Sequence, residues 1–537
     1  MKEKFARWHT LVGLYLKRDW KIMLVWILGL SLFAAGYVPA FQEIAKGQGL
    51  LGLYETMQNP AMTAIVGPTP IETAQEYTIG AMYAHEMLLF CGLFAMIISA
   101  LYVVKHTRKE EEQGLTELVR SFSVGRQANS LAIIVEAMLI HLLLALLTAG
   151  VMISFDADTI TVEGSLLFGI SIGMAGLMGA GIALLTAQIM PTSSAATGSA
   201  LAIIGLLYLV RAGTDLYDVN LSMLNPMGWI YLTYPFTENH WFPLVVALIF
   251  IAVLLLLAFG LEGKRDLGAG YLPPREGRER AKRSLLSVHG LLFRLSRGMI
   301  ISWLIAYALL GAAYGSLYGD MQSFLESSEI MQQMFLQQGV TIEESFTGTV
   351  TVILISLVAI LPIAIVNKLF AEETSMRFSQ LFATQVTRGQ LYWTCMGLAV
   401  FSSIVGILFA SGGLGIAAVA VMDKHSTMTW VDFLIISYHY LPSVLFFLGL
   451  AAVALGWVPR WGKVVYVYLG YAFILTYLQE LLDLPEWFIK TAIQNWLPQV
   501  PIEEFELSSF IGITVLSIAL ILIGYWGYRR RDLLEGA

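Results

Sequence analysis

The sequence predicts an all-α polytopic membrane protein: twelve transmembrane helices in two parallel six-helix repeats, with both termini cytoplasmic. Three observations predict it. The 537-residue chain is 57% hydrophobic with a mean hydropathy of +0.70, more apolar surface than a soluble chain of this size can hide. The apolar residues gather in runs that match the bilayer core, about 20 residues at ~1.5 Å rise each. The basic residues alternate: with the N-terminus inside, 28 of the 32 Lys and Arg fall in cytoplasmic segments, as orientation in a membrane requires.

The spans fall near 22–40, 83–104, 131–153, 166–187, 195–210, 242–261, 299–317, 348–366, 393–421, 431–455, 464–478 and 509–527. The fifth and eleventh are short. Ahead of the first, residues 5–20 set Phe5, Trp8, Val12, Tyr15 and Leu16 among Arg7, Lys17 and Arg18, the pattern of a helix lying in the membrane interface. Lys46, Arg211, Lys424 and Lys490 are the four outer cations. The chain therefore reads as a first six-span half over 1–261, a basic linker and second elbow helix over 262–298, and a second six-span half over 299–537.

The halves carry matching marks. KRDL (264–267) follows the sixth span and RRDL (530–533) the twelfth; Pro191 and Pro459 stand between the fourth and fifth spans of each half; Asp215 and Asp483 follow the fifth. Trp26 and Tyr37 have the spacing of Trp303 and Tyr314. Parallel repeats of this kind place a pathway between halves.

The connection after span 2, KHTRKEEEQGLTELVRSFSVGR (105–126), holds nine charges in 22 residues. Leu115, Leu118, Val119 and Phe122 recur at i, i+3, i+4 and i+7, one apolar stripe on a helix, and Glu110, Glu111 and Glu112 sit ahead of it, where a helix dipole favours carboxylates. Residues 367–390 are the counterpart: Glu372 and Glu373 align with Glu110 and Glu111, and Arg388 with Arg126, while Phe378, Leu381 and Phe382 repeat the apolar intervals one residue out of register. Such a stripe either docks on a soluble partner or packs back on the spans.

Catalysis within this chain is not expected. Gly263-Lys264 and Gly462-Lys463 lack the glycine frame of a phosphate cradle, and Cys91 and Cys395 match no metal spacing. No metal, cofactor or nucleic-acid partner is expected. Ionisable residues inside spans are few: His85, Glu86, Glu136, His141 and His439. Their ordinary role is bonding within the bundle; Glu136 and His141 are also candidates for a substrate pathway, although five residues separate them and set them on different helix faces.

Four stretches resemble the type 2 class of ABC exporter permeases, more narrowly the duplicated twelve-span exporters of polyketide antibiotics of the tetronasin-resistance type. They are KRDLGAGYLPPREGRERA (264–281), EEEQGLTELVRSFSVGR (110–126), LSMLNPMGWI (221–230) and LPQVP (497–501). The resemblance implies a permease subunit exporting hydrophobic drug-like or antibiotic molecules through the bacterial plasma membrane. It implies a homodimeric ABC ATPase partner that carries ATP and Mg. It further implies that 108–122 and 371–385 are coupling helices, which assigns contact with the ATPase to Arg108, Glu110, Glu111, Glu112, Gly114, Leu115, Glu117, Leu118, Val119, Phe122 and Arg126. In the second half the same role falls to Glu372, Glu373, Phe378, Leu381, Phe382 and Arg388. Asn225 departs from the family's Ser, and Met376 and Ser379 stand where Gly114 and Glu117 map, which weakens the second helix as a docking element. A proton-driven multidrug transporter is the competing reading; it calls for deep carboxylates and a short basic loop after span 2.

Overall fold

The computed structural model describes residues 2–45, 49–58, 60–69, 71, 73–273, 279–320, 342–422, 428–482 and 485–533. Asp483, one of the repeat marks, lies outside them, as do the outer cations Lys46 and Lys424. The described residues contain helices and no strand, and eleven helices are long and apolar enough to span a membrane. The protein is an all-α polytopic membrane protein. Two units divide the chain, the first over Met1–Glu276 and the second from Gly277.

In the first unit the long helices are α1 (Trp8–Ala35), α2 (Ile79–Val104), α4 (Ala128–Ser154), α5 (Val162–Ile189), α6 (Ser193–Tyr217) and α7 (Phe242–Glu262), with the short α3 (Leu115–Arg120) after α2. α1 lies along α4; α5 packs on α2, α4 and α7. α5 is the buried centre because its small residues let neighbouring backbones approach. A Cβ on Gly179 would lie 2.3 Å from the Met96 carbonyl of α2. α7 instead shows Val245, Leu248, Ile249 and Leu256 on its outer surface, a lipid-facing side.

The second unit repeats the order with α8 (Val288–Ser316), α9 (Ile342–Val358) with α10 (Ile360–Thr374), the short α11 (Arg377–Phe382), α12 (Arg388–Val421), α13 (Trp430–His439) with α14 (Leu441–Trp457), α15 (Val464–Leu482) and α16 (Leu507–Arg530). α8 packs on α12 and α14 on α16, the pairings that α1–α4 and α5–α7 make in the first unit. Two spans that read as single runs are broken here. The eighth breaks at Ala359, three residues before Pro362, and the tenth at Tyr440, two before Pro442; a proline removes a backbone donor and crowds the preceding turn. α15 has 19 residues, of which Val464–Tyr477 form a shorter apolar stretch than the other spans.

Candidate functional site

At the basic end of the first unit α2 does not stop at Val104. It passes through a π-helical turn, Lys105–Lys109, and one further turn, Glu110–Glu112. Such turns re-aim the side chains that follow them. Gly114, at φ +76°, then reverses the chain into α3, a left-handed conformation that costs glycine little.

Glu111 is the centre of the arrangement. Arg265 of the KRDL stretch donates to both its oxygens, at 2.9 and 2.8 Å, and the Gly268 amide donates at 2.7 Å. Arg108, 1% exposed, adds a bond at 3.1 Å and donates to the carbonyls of Pro191, Gly268 and Ala269. Arg126 donates to the Arg265 carbonyl. Bidentate pairs of this kind fix orientation as well as charge. The clamp joins the end of span 2 to the segment after span 6 and to the turn before α6. Glu112 accepts from the amide and hydroxyl of Ser193 at 2.6 and 2.5 Å, at the N-terminus of α6, and Glu110 meets Arg18 and His106 at 3.0 and 2.8 Å. Burial pushes the Arg120 guanidinium below its usual value, with Glu262 and Glu111 opposing.

The second unit builds the same clamp. Arg531 of RRDL donates to both oxygens of Glu373, at 2.5 and 2.7 Å, and to the Leu455 carbonyl at 3.0 Å. Arg388 donates to the Arg531 carbonyl, as Arg126 does to Arg265. Glu372 pairs with Arg377 at 2.6 Å. Met376 takes the left-handed conformation of Gly114, at φ +59°.

The two short helices differ in what they show. On α3 and just past its end, Leu115, Leu118 and Phe122 are exposed, the latter two at 62% and 66%; Glu117 is exposed and Val119 packs against the core. On α11, Phe378 is 3% exposed, and Leu381 and Phe382 lie against the core. The clamps set the register: Phe378 occupies the place of Thr116, which is also buried, and Arg377, Gln380 and Thr384 fall where Leu115, Leu118 and Phe122 stand.

The membrane-embedded candidates separate likewise. His85 bonds Tyr77 and the Gly67 carbonyl, and His439 the Pro498 carbonyl, so both tie spans to outer connections. His141 bonds Ser99 at 2.9 Å. Glu136 is 0% exposed, and among the described residues neither of its oxygens has a hydrogen bond of ordinary geometry. One buried pair went unread in the sequence. Arg211 and Asp215, at 2.9 Å and one turn apart on α6, join Tyr231, Ser222 and the Ala64 carbonyl. An Arg and an Asp at i, i+4 inside an apolar helix was the available signal. Among the described residues no cluster of His, Cys, Asp or Glu could hold a metal ion.

The family model described as "Multidrug efflux system permease Rv1217c, C-terminal domain" matches residues 9–263 and 285–529. The chain belongs to this family of multidrug efflux permeases. The multidrug efflux system permease protein Rv1217c of Mycobacterium tuberculosis is 26% identical over 529 residues, 97% of this chain and 94% of that protein. In this efflux permease Arg108 and Glu111, and Glu373 with Arg388, lie within the matched stretches, while the clamp arginines Arg265 and Arg531 each lie just beyond the end of one.

Proposed function

We propose that this efflux permease is the membrane subunit of an ATP-driven ABC exporter for hydrophobic drug-like or antibiotic molecules, of the type 2, tetronasin-resistance kind, in the bacterial plasma membrane. ATP and Mg bind a separate homodimeric ATPase. The observation that carries this reading is the twin clamp. In each half a Glu–Arg pair ties the end of the second span, just ahead of the short helix, to the segment after the sixth, so a push on that helix is delivered to two spans at once. A loop that merely connected spans has no need of two buried arginine–carboxylate pairs, whose desolvation is costly. Two equivalent clamps suit a partner that is itself a dimer. The exposed face of Leu115, Glu117, Leu118 and Phe122 is the contact surface, and the buried charges behind it are the lever.

The test separates this from a proton-driven transporter. Cells expressing the chain with its ATPase are loaded with an exported drug, and efflux is followed while ATP is depleted with the proton gradient kept, then with a protonophore and ATP kept. Efflux that stops only in the first condition supports the proposal; efflux that stops only in the second overturns it.

A further inference from the structure

Glu136 is the least explained residue of the first unit. Its neighbouring donor is the Tyr102 hydroxyl, and burying a carboxylate so thinly partnered is costly; the fold does not require one here. In the second unit the junction of α8, α10 and α12 is built with Leu398 at the position of Glu136, counted from the clamp residues, and Leu398 lines a cavity there beside Lys368. A leucine serves the packing, so the glutamate answers to something else.

Beside Glu136 an apolar cavity opens between α1, α2 and α4, lined by Met23, Trp26, Ser99, Tyr102, Ile140 and His141. Tyr102 stands between the cavity and the carboxylate: it lines the first and neighbours the second. Its hydroxyl, like both Glu136 oxygens and the His141 Nδ1, has no hydrogen bond of ordinary geometry among the described residues. Tyr102 and His141 thus bring unsatisfied polar atoms to one greasy cavity, with the Glu136 carboxylate next to Tyr102. Beside Tyr102 the carboxylates outnumber the cations. Asp19, Glu110 and Glu136 share one guanidinium, that of Arg18, and the His106 imidazole. An aromatic wall of Trp26 and Tyr102 suits a cation as well as an apolar body.

We propose that the cavity between α1, α2 and α4 binds lipophilic cations, with Glu136 as their counter-ion and Tyr102 as the side chain that turns aside to admit the charge. The proposal rests on the export reading above and names a substrate class for it. The cation enters from the bilayer, seats its apolar groups against Met23, Trp26 and Ile140, and, with Tyr102 turned aside, pairs its charge with Glu136. In the second unit the corresponding cavity has Leu398 where Glu136 stands and Lys368 beside it, and the carboxylate that lines it, Glu372, is paired with Arg377.

Binding to the purified chain in lipid nanodiscs tests this without the ATPase. The probes are tetraphenylphosphonium and tetraphenylborate, alike in shape and opposite in charge, measured by equilibrium dialysis. Wild type is expected to prefer the cation. Glu136→Gln and Glu136→Leu weaken cation binding about thirtyfold or more, the loss usual for one partner of a buried charge pair; Glu136→Asp recovers part of it. Thermal unfolding of each variant checks that it is folded. Equal binding of both probes by wild type, or cation binding undiminished in a folded Glu136→Gln, overturns the proposal. A permease that exports neutral drugs but shows no cation preference loses this site and keeps the export reading. A chain that supports no drug efflux loses the export reading, while the dialysis still decides the site.

Discussion

Arg265 and Glu111 show what a single residue decides. Each is 7% exposed at the side chain, so removing Arg265 takes from Glu111 its two-pronged partner in a poorly solvated place and leaves it Arg108 and the Gly268 amide. Arg265→Ala is expected to cost about 3–5 kcal/mol of stability, read as a fall in the thermal midpoint in detergent. Arg265→Lys recovers little, because an ammonium cannot make the two-pronged contact. Arg531→Ala is expected to do the same in the second unit, and a thermal midpoint unchanged by either substitution counts against the clamp. Met376 makes the converse case. Its left-handed backbone is strained for any side chain, and Met376→Gly is expected to add up to about 1 kcal/mol of stability, visible as a raised midpoint.

At the scale of the element, α3 and α11 are the same turn put to different uses. The sequence announces an apolar stripe in both, and periodicity is right that one face is special. It says nothing about what covers that face. The clamps decide the register, and with it Phe378 goes inward while Leu118 and Phe122 stay out. Opposite outcomes follow. Leu118→Asp is expected to change stability by less than about 0.5 kcal/mol yet abolish most drug efflux. Phe378→Ala is expected to cost about 3–5 kcal/mol, and its efflux defect tracks the lost protein. Efflux by Leu118→Asp at the wild-type rate removes α3 from the docking surface. The glutamates divide in the same way: Glu110, Glu111 and Glu112 bond within the unit, and Glu117 stands on the exposed face. Local sequence groups them as neighbours along the chain, whereas the π-helical turn and the bend at Gly114 send them to different partners.

For the whole molecule, the uneven distribution of Lys and Arg makes a prediction about sides. Cys91 and Cys395 are buried, so the chain carries little reactive thiol. Phe122→Cys is expected to react with a membrane-impermeant maleimide only after cells are opened, and Tyr217→Cys, 87% exposed in the native residue, in intact cells. The reverse pattern inverts the topology.

The sequence by itself determined the all-α membrane class, the placement of the spans and the recurrence of their marks, because bilayer thickness and helical rise act on local composition. It also carried both members of each clamp, Glu111 with KRDL and Glu373 with RRDL, as separate repeated signs. Their pairing was decided only by the tertiary structure. The partners lie 154 and 158 residues apart, and nothing in local pattern says which buried arginine will meet which carboxylate. The same holds for Glu136. A span may carry an acid for many reasons, and its place next to Tyr102 and an apolar cavity exists only once α1, α2 and α4 are packed.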